Sequence, residues 1–157
     1  MSLLYQNDPR LPDCIQHYGC NLLATAALPQ LFLWRFLSPE QVIQLKDWLV
    51  EENLVTGDMM LIEPETPGAI ISKVGGMLGE SRLRGEQVGS IAKGTVTFWG
   101  HVTEYTYDYA ISRVRLYNGL QHFVTCDDNF RLLYNPHPRY TDYRIYEYLL
   151  YRLWLEG

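Results

Sequence analysis

The sequence is short of several things at once. It has three cysteines, Cys14, Cys20 and Cys126, an odd number that does not suggest a disulfide framework. No Cys-x-x-Cys and no spaced His pair completes four ligands around His122, Cys126 and the Asp127-Asp128 dipeptide, so a zinc site is not expected. Basic residues are in the minority: 13 Lys and Arg against 18 Asp and Glu give a formal charge of −5, the wrong balance for a nucleic-acid-binding face. No apolar run is long and clean enough to span a bilayer, because Pro29, Gln30 and Arg35 interrupt the best one. The opening MSLLYQNDPR has no basic segment ahead of an apolar stretch and does not read as a secretory signal. Repeats, low-complexity segments and linkers are missing as well. These absences predict no nucleic-acid partner, no membrane, no metal or cofactor, and a reducing cytoplasm in which thiols stay usable.

What is present fits one domain. The 157 residues are 47% hydrophobic and 20% charged, enough to build a real core, and residues 1–157 read as a single unit. Residues 1–13 read as an extended arm. Residues 20–37 read as a helix that is apolar on most sides, kinked or divided at Pro29. SPEQVIQLKDWLVEENL is the clearest helix: Ser38 is its N-cap, Pro39 its first position, and Gln41 completes a capping-box pattern. Thr56-Gly57-Asp58 reads as a turn, MMLIEP as an extended segment, and residues 66–78 as a short helix that glycines end. Gly75-Gly76-Met77-Leu78-Gly79 lacks the Gly-Lys-Ser/Thr of a phosphate loop.

The second half changes character. Residues 81–89, 94–102, 104–117, 121–126 and 130–135 are rich in β-branched and aromatic residues and read as strands. Residues 141–157 read as a closing helix opened by Thr141, with Ile145, Leu149 and Leu153 on one face. Its aromatic surplus (Tyr140, Tyr143, Tyr146, Tyr148, Tyr151 and Trp154) would form a homo-oligomer or partner surface wherever packing on the sheet leaves it exposed. Helices first and strands after predict an α+β domain, with N-terminal helices packed on a C-terminal antiparallel sheet.

Gln16-His17-Tyr18-Gly19-Cys20 leads directly into the apolar run. At a helix N-terminus the free backbone N–H groups and the helix dipole favour a thiolate, which makes Cys20 the nucleophile candidate. Of His17, His101, His122 and His137, His122 lies inside a strand, sharing a face with Val124 and Cys126. A two- or four-residue loop after Asp127 sets His122 across from Asn135. An asparagine there fixes the ring's tautomer, so Cys20, His122 and Asn135 form a nucleophile, a base and an orienting group. Gln16 stands close enough to supply an oxyanion donor beside the Cys20 N–H. Asn135 before Pro136 also suits a plain turn, and His122 a plain core position. Cys14 and Cys20 would disarm the site if oxidised to a disulfide.

These residues resemble the papain-like cysteine peptidases, and within them the compact branch that includes the bacteriocin-leader-processing peptidases. The matching pieces are Gln16, Gly19-Cys20 with Ala24, His122-Phe123-Val124 and Asn135-Pro136, in the same order. The resemblance implies a papain-like fold and a cysteine peptidase or amidase acting on a peptide or protein substrate. Asn21 stands where the leader peptidases carry Gly, and the Asp-Cys-Ser-Gly start of the NlpC-type cell-wall peptidases is missing. A freestanding enzyme is the expectation. The alternative is a catalytically inactive domain of that fold, serving as a peptide-binding or assembly module.

Overall fold

The structure, a computed structural model, describes residues 2–62, 65–92 and 106–157. Within them the chain is α+β: helices α1 (Asp13–Tyr18), α2 (Cys20–Leu33), α3 (Pro39–Glu51) and α4 (Glu65–Met77) precede strands β1 (Leu83–Ala92), β2 (Tyr109–Leu116), β3 (Gln121–Asp127), β4 (Leu132–Tyr134) and β5 (Tyr143–Leu155). The strands form one antiparallel sheet in the order β1-β5-β2-β3-β4. The strand expected at 94–102, and His101 with it, lies outside the described residues.

α2 is apolar all round because it is covered on two sides. Leu22, Leu23, Ala26 and Ala27 join Ile15, Leu45, Leu49, Ile70 and Val74 in a helical core. Ala24 and Leu28 instead meet Ile111, Phe123, Leu149 and Tyr151 of the sheet. Pro29 lies inside this one helix, which it neither ends nor divides. The buried Gln30 satisfies itself locally, donating to the Ala26 carbonyl and accepting from the Leu37 N–H. α3 begins as its sequence dictates. The Ser38 hydroxyl accepts from the Gln41 N–H, and the Gln41 side chain accepts from the Ser38 N–H, which satisfies two of the donors that a helix start leaves open.

α4 ends among glycines as expected: Gly75 and Gly76 sit within its last turn, and the left-handed position that follows the helix is Gly79, at φ +86°. Gly75 is needed for close approach, since a Cβ there would come within 2.7 Å of the Leu83 Cβ. Residues 141–157 form no helix: β5 runs through them as the strand between β1 and β2. A spacing of four suits a helical stripe and an alternating strand equally. Leu149, Tyr151 and Leu153 face α2 while Tyr148 and Leu150 face the opposite side, and burial on both faces makes the middle of β5 continuously apolar. Of the aromatics there, Tyr148 and Tyr151 are buried and Tyr143, Tyr146 and Trp154 half-buried, and they stand on a strand of the sheet, not on a C-terminal helix.

A further correction concerns register. The loop after β3 has three residues, Asp128, Asn129 and Phe130, closed by Asp127 N–H donating to the Arg131 carbonyl. Phe130 takes the left-handed conformation at φ 63°, and the Asp127 carboxylate accepts from the Asn129 and Arg131 N–H groups. That is the odd-length loop with a bulge, which shifts the ladder. Thr125 pairs with Tyr134 and Cys126 with Leu132, so His122 and Asn135 are not ladder partners.

Candidate functional site

Two local features place Cys20. Gly19 joins α1 to α2 where the chain turns tightly, and a Cβ there would lie 2.6 Å from the Ile15 carbonyl oxygen. One helical turn later, the Thr125 hydroxyl donates to the Ala24 carbonyl at 2.8 Å, pinning α2 onto β3. Cys20 is therefore the first residue of α2, half-buried and held against the start of β3. The expected thiolate does not follow. Burial pushes the thiol up to about 11, although N–H groups of Asn21, Phe123 and Cys20 itself pull it back in part. Desolvation outweighs the dipole at this buried helix start.

His122 and Asn135 meet in spite of the shifted ladder. The chain leaves β4 after Tyr134, and the Asn135 side chain reaches back so that its Oδ1 lies 2.7 Å from His122 Nε2. The roles in this contact are fixed by Asn135's other bonds. Its Nδ2 donates to the Tyr140 carbonyl at 2.9 Å, and its Oδ1 accepts from the His137 N–H at 3.2 Å. The oxygen therefore faces the ring, so His122 Nε2 carries the proton and donates. In the neutral ring Nδ1 is then the bare, basic nitrogen. Tyr140 meets the His122 ring edge-on at 5.4 Å and stacks on His137 at 3.8 Å. Burial lowers the His122 pKa below its usual 6.5 against the raising effect of the Asn135 bond, with His137 lowering it further. The base is thus neutral at pH 7.

Cys20 and His122 both line a cavity of about 280 Å³, together with Tyr18, Met60, Phe123 and Tyr140. Among the described residues no hydrogen bond joins the Cys20 thiol to the His122 ring; the thiol's partners are backbone N–H groups. Val124 and Cys126 face the side of the sheet away from α2, and the Cys126 thiol contacts the Ser112 hydroxyl there. All three cysteines are free. No group of three or more His, Cys, Asp or Glu that could hold a metal ion occurs among the described residues, and no described helix is long and apolar enough to cross a membrane.

Gln16 is turned away from this cavity, its amide donating to the Leu11 carbonyl at 2.7 Å. Two other glutamines line the cavity, Gln121 of β3 and, from the N-terminal arm, Gln6. The Gln6 N–H donates to the Pro136 carbonyl, its Nε2 donates to the Gln16 carbonyl, and its buried Oε1 has no partner among the described residues. Nothing in the arm's sequence distinguishes Gln6, because its position depends on the arm docking against the Asn135–Tyr140 loop. Compared with known proteins, the chain matches no family model, no curated sequence and no solved structure.

Proposed function

We propose that this chain is a cysteine peptidase or amidase of papain-like fold, with Cys20 as nucleophile, His122 as base and Asn135 as the group that orients the ring. The observation that carries the reading is the Asn135-locked His122 beside the cavity that also holds Cys20. The resting pair is a neutral thiol and a neutral imidazole, so the proton moves when substrate binds. His122 Nδ1 takes the Cys20 proton as sulfur attacks the carbonyl carbon and the carbonyl π electrons move to oxygen. The backbone N–H groups at the start of α2 stabilise that oxyanion. Gln16 would join them only after releasing the Leu11 carbonyl. His122 then returns the proton to the leaving nitrogen as the C–N bond breaks, leaving a thioester that water hydrolyses. Contacts that lengthen in the free enzyme and tighten around substrate are common in such sites. A reducing compartment such as the cytoplasm keeps the thiol available.

A second reading, an inactive domain that binds peptides, draws on the raised thiol pKa and the missing thiol–ring hydrogen bond. One experiment separates the two. A peptide library is incubated with wild type, Cys20→Ala and His122→Ala, and products are read by mass spectrometry. The enzyme reading expects cleavage by wild type alone, with a Cys20 thioester trapped at low pH. Peptides retained uncleaved by all three proteins would establish the binding module instead.

A further inference from the structure

A second cavity, about 310 Å³, lies beside the first at the β2–β3 turn, and Leu116 lines both. Its charged lining is unusual for this acidic chain. Arg115 on β2 and Arg144 on β5 are direct cross-strand partners, which places their Cβ atoms about 5 Å apart. Like charges in that position repel, and sheets ordinarily avoid or neutralise them. The sheet does neutralise the neighbouring arginine: Arg113 pairs with Glu147 at 2.8 Å. Neither Arg115 nor Arg144 has a carboxylate partner among the described residues. Asp142 lines the same cavity without pairing with either. Arg115 is steadied from one side by the Tyr146 ring, 5.4 Å from its guanidinium.

We propose that Arg115 and Arg144 form an anion-binding subsite that takes a carboxylate or phosphate group of a ligand. Two guanidinium forks on adjacent strands offer planar, paired N–H donors suited to either oxyanion. Tyr117, 83% exposed at the rim, and Tyr143 supply aromatic walls for the part of the ligand that carries the charge. The anion stabilises the sheet by standing between two charges that otherwise face each other. The subsite does not depend on thiol chemistry. Resting on the function proposed above, however, it selects substrates with an acidic group displaced from the scissile bond by the width of Leu116.

The test is binding, read without activity. Sodium phosphate and the free-acid dipeptide acetyl-Ala-Ala are titrated separately at constant ionic strength, following the Arg Nε–H resonances by NMR. The proteins are wild type, Arg115→Gln, Arg144→Gln and Asp142→Asn. Saturable binding of either probe is expected, at least about tenfold weaker in each arginine variant and tighter in Asp142→Asn. The probe that saturates at lower concentration identifies the source of the charge. Arg144→Gln should melt no lower than wild type, since it removes a repulsion. Equal shifts from chloride, unchanged affinity in the arginine variants, or no saturation by either probe would overturn the proposal. Any of those results leaves the thiol reading standing, because cleavage is measured separately.

Discussion

At the residue scale, Asn135 is the hinge of the candidate site. One amide accepts from His122 and from the His137 backbone while donating to Tyr140. Asn135→Ala leaves the His122 Nε2–H buried without an acceptor, a loss of about 1–3 kcal/mol in stability. Asn135→Asp acts in the opposite electrostatic sense, because a carboxylate beside the ring favours its charged form. The His122 pKa, now held low by burial, should rise in that variant, and NMR titration of the ring protons checks it. The helix start at Cys20, the strand of His122 and the Asn135-Pro136 step leave local marks in the sequence, but the contact between His122 and Asn135 forms through the Asn135 side chain and not through the ladder pairing that the sequence suggests. Gln16 and Gln6 could not be told apart. Nearness in sequence favoured Gln16, but the line of α1 turns its amide toward Leu11, and a tertiary contact brings Gln6 to the cavity.

At the scale of elements, α3 and β5 mark the two ends of what local sequence specifies. Every signal in α3 agrees: cap, box, Pro39 and a one-sided apolar stripe at Val42, Leu45 and Leu49. Ser38→Ala should therefore cost about 1 kcal/mol, seen as a lower urea midpoint with an unchanged slope. β5 has no such agreement, because burial on both faces erases its alternation and its apolar spacing suits either period. The β3–β4 loop defeated sequence reading for another reason. Its odd length depends on Phe130 accepting a left-handed backbone, which nothing about phenylalanine announces.

At the scale of the molecule, buried titratable groups set the pH range of stability. His122 and His137 are both lowered from 6.5, mainly by burial, so below that pH the unfolded chain binds protons that the folded chain refuses. Stability should fall as pH drops through 6.5. Cys20 is raised from 9.0 to about 11, so the folded chain keeps a proton that the unfolded chain has released. Stability should fall again as pH climbs from 9 towards 11. Thermal melts across pH should show a plateau between these limits. Cys20→Ala should remove only its share of the alkaline decline and leave the acid one intact.

The order β1-β5-β2 carries a consequence for how the protein is made. β1 and β2 never pair with each other; each waits for the strand that lies between them. While a ribosome has yet to release residues 143–155, the helices and the β2–β3 hairpin can assemble, but the strand edges of β1 and β2 that later meet β5 stay unsealed. A nascent chain in that interval presents two adhesive edges to its neighbours. Slow codons placed before Tyr143 would lengthen this exposure.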